Sequence, residues 1–214
     1  MTLYRSVYGS GEAEYTIERS KFIAHVSQAE SPEKARLFIA GMKEKYRDAT
    51  HNVPAFVCGP GSEHQWASDD GEPQGTSGMP VLRLITGERL TNIAIVITRY
   101  FGGIKLGTGG LARAYTHAAS LGIEAARVCE VRESALLRYS FDYSYLSKLL
   151  SMAEEGRFDM SEIEYTDTVS ALLRCPEEDR EKLRSAVSDL TSGKAILINE
   201  SSDMGKYLLS EKEK

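Results

Sequence analysis

The chain has 214 residues, 42% of them hydrophobic, which is enough for a sizeable core and for one or two domains. A formal net charge of -5 provides no bulk attraction to nucleic acid. No apolar run approaches the roughly 20 residues that cross a bilayer, and the three cysteines are too few and too scattered for a disulfide framework or a structural zinc.

Charge is unevenly spread. Residues 1–129 carry 14 Lys+Arg against 13 Asp+Glu, whereas residues 130–214 carry 12 against 18. Met1-Thr2-Leu3-Tyr4-Arg5 does not read as a signal peptide, so a reduced, cytoplasmic protein with no membrane contact is expected.

Along the chain, residues 3–28 read as strands. Tyr15 and Ile17, then Phe22, Ala24 and Val26, alternate, and Gly9-Ser10-Gly11 marks a turn. Ser31-Pro32-Glu33 starts a helix with a capping hydroxyl, a first-turn proline and an acid. Ala35, Phe38, Ile39, Met42 and Tyr46 form its apolar face. His51 precedes a strand expected over Ala55–Cys58. Ser68 to Pro80 holds Asp69, Asp70 and Glu72 among glycines and hydroxyls, a composition fit for neither helix nor strand. It reads either as a solvated loop held by side-chain hydrogen bonds or as a shaped loop bearing acid/base groups or hard-metal ligands. No metal or cofactor is assigned. Pro80 to Leu90 reads as a short helix.

Ile93-Ala94-Ile95-Val96-Ile97 is a solid apolar run, the mark of a strand buried on both faces. Gly102, Gly103, Gly107, Thr108, Gly109 and Gly110 follow, and then helical periodicity from Leu111 to Ala126. Glycines allow positive φ and close approach, and a helix start presents unpaired N–H groups at its positive dipole end. Arg99, Lys105 and Arg113 bracket this stretch, and no Asp or Glu occurs between Glu88 and Glu124. A strand–loop–helix anion site is expected; tight packing alone is the other reading of the glycines. Positive φ at Gly109 or Gly110 would make even alanine costly there. The pattern is neither a P-loop nor a dinucleotide fingerprint.

Beyond Val128-Cys129-Glu130 the order is strand (131–141), helix (about Leu146 to Ala153), strands 158–165 and 168–174, a helix with Leu183, Ala186, Val187 and Leu190 inward, and a last strand, 195–199. This βαββαβ order is the ferredoxin-like pattern. The expected division is residues 1–129, residues 130–206 and a charged tail, 207–214.

Four blocks resemble the IMPACT/YigZ family: Ser20-Lys21-Phe22-Ile23-Ala24, Ala49-Thr50-His51-Asn52, Ser68 to Pro80, and Thr98 to Leu111 with Arg113-Ala114-Tyr115. Val53 departs from the cysteine that many relatives carry after the His-Asn pair, so a reactive thiol is not expected there. The resemblance implies an α+β chain. Its first domain would be like domain IV of elongation factor G, a βαβ-containing sheet with helices on one face, and its second would be ferredoxin-like. It also implies an association with translation control, which eukaryotic members exert by restraining a kinase through an extra N-terminal domain absent from this chain.

Three functions follow from these features. The first is a binding module for RNA, the ribosome or another phosphate-bearing ligand, through Arg99, Lys105, Arg113 and the glycine loop. The second is an enzyme on a small phosphorylated substrate, with His51 and Asp69, Asp70 or Glu72 moving protons. The third is a protein-binding adaptor with a partner in translation control.

Overall fold

In the computed structural model, which describes residues 2–209, backbone contacts separate two units. One comprises residues 3–130 with the stretch from Lys206, and the other residues 131–205.

In the first unit the chain forms β1 (Thr2–Val7), β2 (Gly11–Ile17), β3 (Ser20–Gln28), α1 (Pro32–Lys45), β4 (His51–Cys58), β5 (His64–Ala67), α2 (Gly78–Gly87), β6 (Ile93–Tyr100) and α3 (Gly107–Ala126). Five strands run in the order β2-β3-β6-β4-β5, with β6 at the centre. Both β3 and β4 pair antiparallel with β6, through Ala24↔Ile97 and Ala55↔Ile95, so β3, α1 and β4 form a split β-α-β unit.

Helices cover both faces of this sheet rather than the one face expected. Ile93, Ile95 and Ile97 point into a core with Val81 and Ile85 of α2 and Leu111, Tyr115 and Ala118 of α3. Ala94 and Val96 point the other way, with Ala35 and Ile39 of α1. Two covered faces are why the β6 sequence shows no alternation. Ser31 caps α1 as expected, its hydroxyl accepting from the Lys34 N–H.

β4 begins at His51, four residues before the expected Ala55. Pro54 hid this, because proline argues against a central strand. Its carbonyl accepts from the Ser68 N–H, so its nitrogen also faces the β5 side. The β5 ladder ends one residue away, at Ala55↔Ala67, and β6 loses no bond. β5 itself was not expected. It is a short edge strand whose Trp66 lies 5.8 Å from Phe56.

The second unit is built from β7 (Val128–Phe141), α4 (Leu146–Glu154), β8 (Asp159–Tyr165), β9 (Val169–Pro176), α5 (Arg180–Thr191) and β10 (Ile196–Leu208). These strands lie in a five-stranded sheet, where β10, β7, β9 and β8 follow one another in the order that a ferredoxin-like βαββαβ unit requires. Leu137, Tyr139, Leu173 and Cys175 alternate into a core closed by Leu149 of α4 and Leu183 and Val187 of α5. β10 continues well past the expected Asn199 and takes in Tyr207 and Leu208, which the expected division assigns to the charged tail. Its polar middle is held by ion pairs from Arg180 and Arg184 to Glu200 and from Arg174 to Asp203. The rest of the tail, 210–214, lies outside the described residues. Cys58, Cys129 and Cys175 are buried free thiols, and burial pushes Cys58 and Cys175 up to about 11.

Candidate functional site

Strand β4 opens with His51, and strand β6 ends with Arg99 directly across from it in register. The loop from Ser68 to Ser77 folds over this end of the sheet, and α3 starts beside it. The sheet end therefore brings His51, Glu72, Arg99, Lys105, Gly107 and Thr108 to the wall of one cavity of about 390 Å3. Thr50, Pro73, Phe101, Leu106 and Leu111 complete the lining.

Glu72 is the hub. Its Oε1 accepts from Nη1 of Arg99 at 2.5 Å and from the Tyr115 hydroxyl at 2.8 Å, and lies 3.8 Å from Nε2 of His51. The side chains of Glu72 and Arg99 are 3% and 5% exposed. Arg99 also reaches the Ser20 hydroxyl and lies over the rings of Phe22 and Phe101. Its positive charge is therefore spent on an interior pair and is not a free surface cation. Burial, and then the neighbouring Glu72 carboxylate, push the Tyr115 phenol far above its ordinary range, so the group stays a neutral donor.

The three loop carboxylates have different fates. Asp69 accepts from the N–H groups of Gly75, Ser77 and Gly78 and from the Ser77 hydroxyl, and so holds the loop to the start of α2. Asp70 pairs with Lys43, accepts from the Asn52 N–H at 2.6 Å, and turns its carbonyl to Nδ1 of His51 at 2.8 Å. Only Glu72 lines the cavity. Among the described residues, no group of three or more His, Cys, Asp or Glu is placed to hold a metal.

Sequence reasoning singled out the glycines of the β6–α3 connection, and the structure separates their roles. Positive φ falls at Gly103 and Gly107, not at Gly109 or Gly110. Gly102 is required for close approach, since a Cβ there would sit 2.0 Å from the Arg19 carbonyl carbon. Gly109 and Gly110 belong to the first turn of α3, which starts four residues before the expected Leu111. Gly102→Ala should therefore cost about 2–3 kcal/mol. Gly109→Ala, which meets only the tip of Arg113 at 3.5 Å, should gain up to about 1 kcal/mol from helix propensity. Urea melts of the two variants check this; equal midpoints would contradict it.

The start of α3 remains open. No side chain caps it and no acid stands in its first turn. Lys105 and Arg113 are exposed and form no ion pair among the described residues. Two contributors escaped the sequence reading. Tyr115 falls within the helical periodicity of α3 and in a family block, and neither marks its hydroxyl as a partner of Glu72. Ser20 opens a block that carries the family resemblance, but nothing local marks its role: its hydroxyl accepts from Arg99 and from the Gly102 N–H at 3.1 Å.

A two-unit α+β chain with a polar hub beneath a helix start is the class that the fold and this site define. Residues 18–123 match the Impact N-terminal domain, which contains every residue of the site, and residues 140–194 match a domain of unknown function, DUF1949. The chain is 38% identical over 192 residues to the IMPACT family member YvyE of Bacillus subtilis (strain 168), covering 90% of this chain and 88% of the relative. An IMPACT family member of Haemophilus influenzae is 32% identical over 186 residues, 86% and 90% of the two chains. A solved structure described as a hypothetical protein shares the fold at 23% identity, with a TM-score of 0.58 over 97% of this chain and 98% of its own. The chain belongs to the IMPACT family. Among the described residues no helix is long and apolar enough to cross a membrane.

Proposed function

We propose that this protein acts in translation control as a binding module for the phosphate backbone of RNA, free or in the ribosome, through the start of α3. The observation that carries this reading is the uncapped, acid-free first turn of a 20-residue helix, flanked by exposed Lys105 and Arg113. Unpaired N–H groups, a positive dipole end and two exposed cations are what a phosphodiester needs, and none of them reads base sequence. The family's association with translation, and the elongation-factor likeness that the resemblance implies for the first domain, favour the same class of ligand. Arg99, bracketed with these cations in the sequence, contributes by fixing the loop through Glu72 and not by its own free charge.

Lys105→Ala with Arg113→Ala should weaken binding of every mixed-sequence RNA tried, and of ribosomes, by a similar factor. The salt dependence of log K should become shallower by about 0.7 for each single-strand phosphate that the variant no longer neutralises. An unchanged affinity and slope would sink the reading.

A second reading has its own support. The cavity places Nε2 of His51 near a buried carboxylate, an arrangement able to handle a proton of a small phosphorylated substrate. Turnover of such a substrate that disappears in His51→Asn, with binding retained, would favour an enzyme. A protein partner in translation control, the adaptor reading, would be favoured if neither RNA nor small phosphates bind.

A further inference from the structure

We infer that the cavity beside the start of α3 receives a single unpaired ribonucleotide, its phosphate at the helix start, its base against Phe101 and its 2′-hydroxyl donated to Nε2 of His51. This rests on the phosphate reading above and adds the identity of the unit that enters the site.

The assignment starts from the proton on His51. Nδ1 faces the Asp70 carbonyl oxygen at 2.8 Å. A carbonyl only accepts, so Nδ1 carries the hydrogen, and in the neutral ring that tautomer leaves a lone pair at Nε2. Oε1 of Glu72 lies 3.8 Å from Nε2, beyond hydrogen-bond reach, and already accepts from Arg99 and Tyr115. In that tautomer the cavity wall offers an acceptor, which suits a ligand that brings a hydroxyl or an N–H. A phosphodiester brings neither; a ribose does, and a deoxyribose lacks the 2′-hydroxyl.

The rest of the wall suits a base. Phe101 is 45% exposed at this cavity, flanked by Leu106 and Leu111. An exposed ring beside cations is the usual platform for stacking an unpaired base, whereas a base held in a duplex is not free to enter. Arg99, 4% exposed, also reaches this wall, and its Nε has no partner among the described residues. Phosphodiester binding alone would leave the ring, the imidazole acceptor and the apolar walls unused.

The test measures the affinity of the full chain for a short mixed-sequence RNA strand, the DNA strand of the same sequence and an RNA duplex, and for ribo- and deoxyribonucleoside monophosphates. The wild type should prefer the RNA strand over its DNA counterpart several-fold and over the duplex about tenfold. His51→Asn keeps a donor where Nδ1 stood, and so can hold the Asp70 carbonyl, but removes Nε2; it should bind the RNA and DNA strands alike. His51→Gln, whose longer amide reaches toward the Nε2 position, should restore part of the preference. Phe101→Ala should weaken strand binding about tenfold with an unchanged melting temperature. Ribonucleoside monophosphates binding as tightly as the strand would identify a free nucleotide as the source; a tighter strand would identify a unit of RNA. Equal affinity of the wild type for RNA, DNA and duplex would overturn the inference and leave the phosphate reading standing. Binding of none of these probes would overturn both.

Discussion

Glu72→Ala is expected to lower the stability of the first unit by about 3–5 kcal/mol, because it leaves the Arg99 guanidinium buried without its counter-charge. The pair sits at 3% and 5% side-chain exposure, and the same carboxylate oxygen also satisfies the Tyr115 hydroxyl. At these exposures the solvent in the cavity compensates either group only in part. Tyr115→Phe, which removes one donor and leaves the ion pair, should cost only about 1 kcal/mol. Lys43→Ala breaks a pair with Asp70 that is 40% and 25% exposed, and should cost at most about 1 kcal/mol. The ordering of these three variants in urea titration is the test. A Glu72→Ala midpoint no lower than that of Lys43→Ala would mean that the buried pair is dispensable. Replacing both partners, as Glu72→Leu with Arg99→Met, should recover much of the loss, since apolar groups of similar volume need no counter-charge. Such a recovered variant would still lack the Glu72 carboxylate beside His51, and so would separate the hub's structural role from any part it plays in ligand binding.

How much of this could be read in the sequence depended on whether the signal was local. The apolar run of β6 and the periodicity of α3 are local patterns, and both elements formed where they were expected, α3 one turn longer at its start. The βαββαβ order of the second half was equally legible, because each element carries its own alternation or amphipathic face. What stayed hidden depends on pairing across the fold. The start of β4 is not legible locally, because the cost of Pro54 depends on which neighbour its nitrogen faces, which only the β5 register decides. The far half of β10 is hidden in the same way, since Glu200 and Asp203 gain their partners only when Arg180, Arg184 and Arg174 are placed beside them. At the site, composition picked out His51, the loop carboxylates and the glycine stretch. It had no means of dividing Asp69, Asp70 and Glu72 into a loop anchor, a positioner of His51 and a buried hub. The same holds for Arg99, which in sequence is one cation among three and in space is half of an interior ion pair.

Asp69 provides the second large effect, and its consequence extends to pH. Its Oδ1 accepts from the Ser77 N–H at 3.1 Å, the Ser77 hydroxyl at 2.8 Å and the Gly78 N–H at 2.9 Å, while Oδ2 accepts from the Gly75 N–H at 2.7 Å. Ser77, at the N-cap position of α2, makes no side-chain cap of its own, so Asp69 caps that helix from across the loop. Ser77 and Gly78 are buried, and Asp69→Ala would leave their N–H groups without an acceptor. Each such loss costs about 1–3 kcal/mol, and since the losses are not additive a total near 3 kcal/mol is expected. Asp69→Asn keeps an oxygen for the Oδ1 donors but presents an amide to Gly75, and should cost roughly half as much. Burial alone would raise the Asp69 carboxyl, yet the hydrogen bonds from Gly75, Ser77 and Gly78 outweigh it and hold the pKa below the ordinary value. The folded pKa therefore lies below the unfolded one. Its stabilising contribution is fully present above the unfolded carboxylate value of about 3.9 and is lost as pH falls through the folded pKa. Urea midpoints of wild type and Asp69→Asn, followed from neutral pH downward, should converge only below about pH 4. A gap that stays constant through that range would show that the charge on Asp69 adds nothing to its hydrogen bonds. Because the same loop carries the Asp70 carbonyl that orients His51, Asp69→Ala should also erase the preference for RNA over DNA, in step with its loss of stability.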